Sequence, residues 1–304
     1  SILFGIIICE LAGRFMGLGN PLLYKSDSLV GYRLRPNQSN KRFQNAIVTT
    51  DSEGFRIDPS KKNDSSSEVI VFVGDSVTYG GSYIDDSEIF SSIICADRSE
   101  VICLNSGINA WGTYNMGRFI SNFSLYSNRL PSRFILVILP GDDERNLKDI
   151  RSLPFWTNPP KNPKAINEII NYLFWKNLIP SLRTQQTPDQ IDLSRKNIIK
   201  NKTIQQSWDD LNNYLKSSIS KVNIVITPPK RWFTDLEENK SDIEMYNKYL
   251  SKISQNPNVS KTCNLYNFIN GEYSETDYVD SVHLSKSGHK KWAKHIMSCL
   301  SITY

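Results

Sequence analysis

The chain has 304 residues, 39% of them hydrophobic and 22% charged, so it carries enough apolar content to bury a full core and is not a disordered chain. Its formal charge of +5 is spread along the sequence without a dense Lys/Arg block or a nucleic-acid motif, and nucleic-acid binding is not inferred. Five cysteines, Cys9, Cys95, Cys103, Cys263 and Cys299, lack both the paired spacing of a zinc site and the density of a disulfide framework, so at most one bridge and no metal are expected.

Residues 1–19 are strongly apolar up to Cys9 and are then interrupted by Glu10 and Arg14. A membrane span needs about 20 apolar residues, and the sequence does not begin with methionine. Upstream residues are therefore expected to complete a membrane anchor or signal segment; the alternative is an amphipathic helix packed on the domain. Residues 20–67 hold short β-prone pieces broken by turn residues, around 31–37 and 48–56, and predict a small strand-rich lead-in. The polar, serine-rich stretch 61–68 reads as its linker.

Residues 69–73, Val-Ile-Val-Phe-Val, form the kind of run expected for a strand buried on both faces of a parallel sheet. Gly-Asp-Ser-Val-Thr-Tyr-Gly follows at 74–80, which puts Ser76 just past the carboxyl end of that strand, where open α/β sheets bind ligands. Further strands are predicted at 101–104, 134–139 and 222–227. The eighty or so residues before the last of these exceed what one crossover needs. They contain helix-like stretches at 165–177 and 204–218, and Tyr172, Phe174 and Trp175 on the first suggest a lid, an acyl-chain wall or a helix pair covering the sheet. After the fourth strand, Pro228, Pro229, Lys230, Arg231 and Trp232 form a basic, aromatic loop and a first candidate for substrate contact. A final helix is expected from 285 to 299.

A serine hydroxyl needs a base to take its proton and a third group to orient that base. Asp280-Ser281-Val282-His283-Leu284 supplies both, since a spacing of three on a turn can set Asp280 against one ring nitrogen of His283 and leave the other facing Ser76. The remaining histidines, His289 and His295, are expected as a helix-start and a surface residue. Asp142, Asp143 and Glu144 are expected in a solvated loop.

Gly-Asp-Ser-x-Thr-x-Gly near the start of a domain and Asp-x-x-His-Leu-Ser-x-x-Gly-His near its end resemble blocks I and V of the SGNH (GDSL-like) hydrolases, in their membrane-anchored bacterial type. The resemblance covers roughly residues 68–300. It implies a flavodoxin-like three-layer α/β/α sandwich with a parallel sheet, with Ser76 as nucleophile, His283 as base and Asp280 as its partner. It also implies an oxyanion hole made by the amide of Ser76, a block II amide and a block III asparagine. Block II is matched by Asn-Ser-Gly-Ile-Asn-Ala-Trp-Gly-Thr at 105–113, which puts Ala110 where the donor glycine normally lies. Its amide can still donate if the backbone there needs no positive φ. Block III reads Pro-Gly-Asp-Asp-Glu at 140–144, so Asp142 replaces the asparagine. An ionised carboxylate cannot donate and would repel an oxyanion. Three readings follow: Asp142 is held neutral, Asn109 or Asn146 substitutes, or activity is weak.

The expected organisation is a partial anchor or signal segment (1–19), a lead-in and linker (20–67) and a catalytic domain (68–304) with a helical insertion at about 151–220. The expected activity is ester cleavage, of O-acetyl or another short acyl group, through an acyl-enzyme and without a cofactor. The expected location is extracytoplasmic and membrane-anchored. The alternatives are an O-acyltransferase acting on a cell-surface glycan and a non-catalytic glycan-binding or assembly protein with a degraded oxyanion hole.

Overall fold

The computed structural model describes residues 2–61, 68–145, 156–159, 164–175, 203–269 and 271–302. Helix α1 (Ile2–Phe15) leads into two antiparallel strand pairs, β1 (Tyr24–Asp27) with β2 (Gly31–Leu34) and β3 (Gln38–Lys41) with β4 (Ile47–Thr50). There follow β5 (Glu68–Gly74), α2 (Ser76–Tyr79), α3 (Phe90–Ile94), β6 (Val101–Gly107), α4 (Thr113–Ser121), β7 (Arg133–Ile138) and α5 (Ala165–Trp175). The chain continues with α6 (Ile204–Leu215), β8 (Lys221–Ile226), α7 (Arg231–Thr234), α8 (Leu236–Ile253), β9 (Val259–Asn264), α9 (Tyr266–Ile269) and α10 (Lys286–Leu300).

Strands β5 to β9 form a parallel sheet in the order β6-β5-β7-β8-β9. Side chains alternate across a strand, and both faces of this one are covered. Val69, Val71 and Val73 join Phe119, Trp208, Leu211 and Ile243 from α4, α6 and α8 on one side. Ile70 and Phe72 join Phe90, Ile94, Trp292 and Ile296 from α3 and α10 on the other. The result is the expected α/β/α sandwich with its parallel sheet. Strand order reverses between β5 and β7, and the crevice at the carboxyl ends of those two strands is where such sheets bind ligands.

The lead-in is fastened to the sheet by Arg56. Its backbone exchanges hydrogen bonds with Asn105 of β6 at 2.9 and 3.1 Å, and its guanidinium runs inward. Nε lies 2.8 Å from Asp86 Oδ1, Nη1 donates to the carbonyls of Tyr79 and Gly81 at 2.8 Å, and Nη2 donates to Ile84 O. The side chain is fully buried. A second buried ion pair, Arg42 with Glu168, ties the lead-in to α5. Helix α1 also lies on α5, with Glu10 accepting from the Ile166 amide at 3.0 Å.

Several expectations are corrected. Two disulfides are present among the described residues, Cys95–Cys103 and Cys263–Cys299; separations of 8 and 36 residues carry no pattern by which sequence could pair them. His295 is buried and sits 3.1 Å from Glu272, because α10 turns that face toward the chain around 272. Asp142 and Asp143 are buried: Asp143 accepts from Trp208 Nε1 at 2.9 Å and from Tyr246 OH at 3.0 Å, which anchors α6 and α8 to the loop after β7. Trp232 is core, packed on Tyr246 and Tyr266. Strand β9, Val-Ser-Lys-Thr-Cys-Asn, has only two apolar residues and escapes a hydrophobicity reading. No helix among the described residues is long and apolar enough to cross a membrane. Residues 154 and 155, the side chains of Tyr172, Phe174 and Trp175, and most of the expected insertion lie outside the described residues.

Replacing Arg56 by methionine keeps much of the apolar stem and strands Asp86 with three carbonyls. Burial lifts the Asp86 carboxyl to about 6 even beside the guanidinium, so at pH 8 it is charged in the wild type, and in the variant it must either stay charged without a partner or take up a proton. A buried charge left without its partner costs about 3–5 kcal/mol. Urea denaturation at pH 8 is expected to show a loss of that size for Arg56→Met, and a loss below about 1 kcal/mol would remove Arg56 as the fastening of the lead-in.

Candidate active site

Ser76 opens α2 directly after β5. The turn is fixed by Asp75, whose Oδ1 accepts from the Val77 amide at 2.8 Å. It is also fixed by Gly107 at the end of β6, where a Cβ would stand 2.1 Å from Tyr79 N. Only a residue without a side chain lets α2 sit that close to β6.

His283 and Asp280 reach Ser76 from the segment before α10. Tyr278 and Leu284 pair across it, the Val279 amide donates to His283 O at 2.9 Å, and the Lys230 amide donates to Ser281 O at 2.9 Å. Tyr278 OH donates to Pro228 O at 2.6 Å. The 228–232 loop, expected to meet substrate, thus braces the histidine segment from behind. Asp280 Oδ1 accepts the amides of Val282 and His283 at 2.9 and 2.8 Å, while Oδ2 lies 2.7 Å from His283 Nδ1. His283 Nε2 is 2.9 Å from Ser76 Oγ.

The Ser76 hydroxyl has one proton and two acceptors near it, His283 Nε2 at 2.9 Å and Asp75 Oδ2 at 3.4 Å. The shorter contact takes it, since hydrogen bonds beyond 3 Å between oxygens are weak. Partial burial by itself would raise the Asp280 carboxyl, but the two amides and the imidazole hold it below the ordinary carboxylate value. It therefore stays charged, with its free lone pairs toward solvent.

The expected oxyanion positions divide. Neither the Ser76 amide nor the Ala110 amide has an acceptor among the described residues. Ala110 does adopt positive φ, 63°, contrary to the condition set for it, so an alanine occupies a left-handed position that suits glycine. Asp142 is fully buried, and its Oδ2 accepts from the Leu139 amide at 2.9 Å. Solvent does not reach it, which separates it from the cleft. Asn109 gives one of its two side-chain N–H donors to Tyr24 OH at 3.1 Å, and Asn146 lies outside the described residues. The sequence reading overlooked Arg145: its Nη1 is 3.1 Å from Asp75 Oδ2 and 3.0 Å from Asp142 Oδ1.

A cavity of about 420 Å³ opens beside this site. Tyr83, whose hydroxyl donates to Leu284 O at 3.1 Å, and Asn109 line its inner side; Tyr24, Phe43, Trp156 and Asn171 line the rest. The lead-in and α5 thus supply most of its walls, while Ser76, Asp280 and His283 are not among its lining residues. Among the described residues no group of His, Cys, Asp or Glu could hold a metal ion.

No family model matches the sequence, and no curated protein matches it. Among solved structures the chain is similar to a member of the lipolytic protein G-D-S-L family from Veillonella parvula, with 14% identity, 78% of this chain and 100% of that one covered, and a TM-score of 0.46. A lipase/acylhydrolase from Enterococcus faecalis is similar at 15% identity, over 76% and 94% of the two chains, with a TM-score of 0.45. A catalytic mutant of an acetylxylan esterase from Geobacillus stearothermophilus is similar at 11% identity, over 79% and 96%, with a TM-score of 0.45.

Restoring glycine at position 110 removes a left-handed alanine, a strain of about 1 kcal/mol. Ala110→Gly is expected to stabilise the fold by up to about that amount in urea denaturation. A destabilisation would mean that the alanine methyl packs in a way that outweighs its backbone.

Proposed function

We propose that the protein is a serine esterase that cleaves a short acyl ester through an acyl-enzyme. The observation that carries this reading is the continuous chain of contacts Asp280–His283–Ser76, at 2.7 and 2.9 Å, at the crevice between β5 and β7. Ser76 Oγ attacks the carbonyl carbon while its proton passes to His283 Nε2, and Asp280 holds the Nδ1–H and balances the imidazolium. The protonated His283 then gives its proton to the departing alkoxide. Water, activated by the same imidazole, releases the acid and regenerates Ser76. The Ser76 and Ala110 amides, which have no acceptor among the described residues, receive the negative oxygen of each tetrahedral intermediate in this reading.

A sugar-borne ester, such as O-acetyl on a cell-surface glycan, suits the neighbouring cavity, where aromatic faces and the amides of Asn109 and Asn171 stand together. The same cavity favours a second reading, in which a sugar hydroxyl takes the acyl group in place of water. A non-catalytic binding protein has no need of an imidazole aligned on Ser76, and the 2.9 Å contact speaks against that alternative.

The test is hydrolysis of p-nitrophenyl acetate, longer esters and an acetylated sugar by wild type and Ser76→Ala. Wild-type turnover is expected to exceed that of Ser76→Ala by at least about 10³ and to fall as pH falls, because a protonated His283 cannot accept the serine proton. Asp280→Asn is expected to lose about 10⁴ in kcat if it acts as the comparable carboxylate does in serine proteases. Equal release by wild type and Ser76→Ala would end the esterase reading.

An extracytoplasmic, membrane-associated location is part of the proposal. Two disulfides suit an oxidising compartment, and Leu3, Phe4, Leu11 and Phe15 on α1 are exposed, a surface that suits a bilayer interface. Flotation with phospholipid vesicles is expected to carry the wild type, and to leave behind a variant with those four residues changed to serine. Equal flotation of the two would remove α1 as the contact.

A further inference from the structure

Acyl transfer to Ser76 places a full negative charge on the former carbonyl oxygen, and removal of one preorganised donor from such a site typically costs about 10² to 10³ in rate. Two amides, of Ser76 and Ala110, have no acceptor among the described residues and are the donors proposed above. A third donor is missing from the expected position, because Asp142 is closed off from the cleft and already occupied by the Leu139 amide. Asn109 turns its side-chain amide to Tyr24 OH and the neighbouring cavity.

We infer that the Arg145 guanidinium is that third donor and therefore a catalytic residue of the proposed esterase. The inference rests on the esterase reading above. Three observations carry it. First, Arg145 stands at the nucleophile: its Nη1 is 3.1 Å from Asp75 Oδ2, and that oxygen is 3.4 Å from Ser76 Oγ. Second, its backbone is wedged against the loop that bears Ala110. A Cβ at Gly112 would lie 1.7 Å from Arg145 O, so the chain here tolerates only glycine, and the Arg145 backbone is held two residues from Ala110. Third, the side chain is 37% exposed, against 1% for Asp75 and 0% for Asp142. The two carboxyl groups lie beneath it, while Nε and Nη2 bond no described residue.

A guanidinium suits this arrangement because its fork carries five N–H donors in fixed directions. One branch can rest on the carboxylates while another meets the oxyanion. The cation would be cancelled if both acids were ionised. Burial and the neighbouring Asp75 push the Asp142 carboxyl well above its ordinary range, however, and Nη1 directs its N–H at Asp75, leaving Asp142 Oδ1 without a hydrogen bond. A single nitrogen, Nη1, meets both acids, which leaves the guanidinium with donors to spare.

In the step itself, the Ser76 Oγ–carbon bond forms as the serine proton moves to His283 Nε2, and the carbonyl π pair moves onto oxygen. Arg145 and the two amides share that charge. When the pair returns, the carbon–alkoxide bond breaks and the alkoxide takes the proton from His283.

The experiment uses the full chain and p-nitrophenyl acetate. Arg145→Gln is expected to lower kcat by about 10² to 10³ with KM changed less than about threefold. Affinity for a reversible boronic acid, which forms a tetrahedral adduct on serine, is expected to weaken in proportion to kcat/KM. Because Arg145→Gln strands the carboxylates, Arg145→Lys is measured beside it: an ammonium keeps the ion pair but lacks the fork, and kcat is expected to fall at least about tenfold at an unchanged melting temperature. A folded Arg145→Gln or Arg145→Lys with wild-type kcat and boronate affinity would overturn the inference while leaving the esterase reading intact. Wild-type protein no faster than Ser76→Ala would overturn both.

Discussion

The buried guanidinium of Arg56 is the constraint on which the candidate site depends. The segment that follows Ser76 turns back on itself at Tyr79, Gly81 and Ile84, and the carbonyls of all three point to this one side chain. Carbonyls turned into a protein interior need donors, and no short local hydrogen bond could serve three that face a common centre. A planar cation with five N–H groups can. Through it the lead-in, the turn after the nucleophile and the Asp86 carboxylate become one unit, so that the position of Ser76 is set from behind by a residue twenty positions earlier in the chain.

The second organising fact is electrostatic. The floor of the site holds Asp75 and Asp142 each within hydrogen-bonding distance of Arg145, and a charge cluster of this kind is costly unless each member is satisfied. Asp75 is satisfied by the Val77 amide and Arg145, while Asp142 has the Leu139 amide on Oδ2 and only the Arg145 ion pair, without a hydrogen bond, at Oδ1. Asp280, by contrast, is on the rim: 52% of its side chain is exposed. The two acids flanking the serine and histidine therefore live in opposite environments, one sealed and structural, one wet and oriented only by its own turn.

Much of this was legible in the sequence where the determinants are local. The run Val69 to Val73 announced a doubly buried strand because its apolar character is unbroken. Asp280 and His283 announced a turn because three-residue spacing is all that the contact needs. What escaped was decided by distant partners. Asp143 looked like a solvated acid, yet Trp208 and Tyr246, 65 and 103 residues further on, supply its donors. His295 looked exposed until the chain near 272 folded over it. Trp232 read as a ligand-facing aromatic next to two prolines, but its own helix turns it into the core. Arg145 sat one residue beyond a recognised motif, and nothing in its neighbours showed that it would face Asp75, seventy residues earlier.

Strand β6 ends the sheet, and its outer side is a row of backbone donors and acceptors. Among the described residues, only Arg56 pairs with it there, through the two hydrogen bonds to Asn105. Uncovered edges of this sort recruit strands from other molecules. The lead-in thereby acts as a guard rail as well as a brace: by occupying the middle of that edge it denies a second copy a continuous register on which to add. A shortened chain beginning at β5 would keep every residue of the proposed catalytic chemistry and lose this protection, so its first failure would be self-association rather than slow turnover.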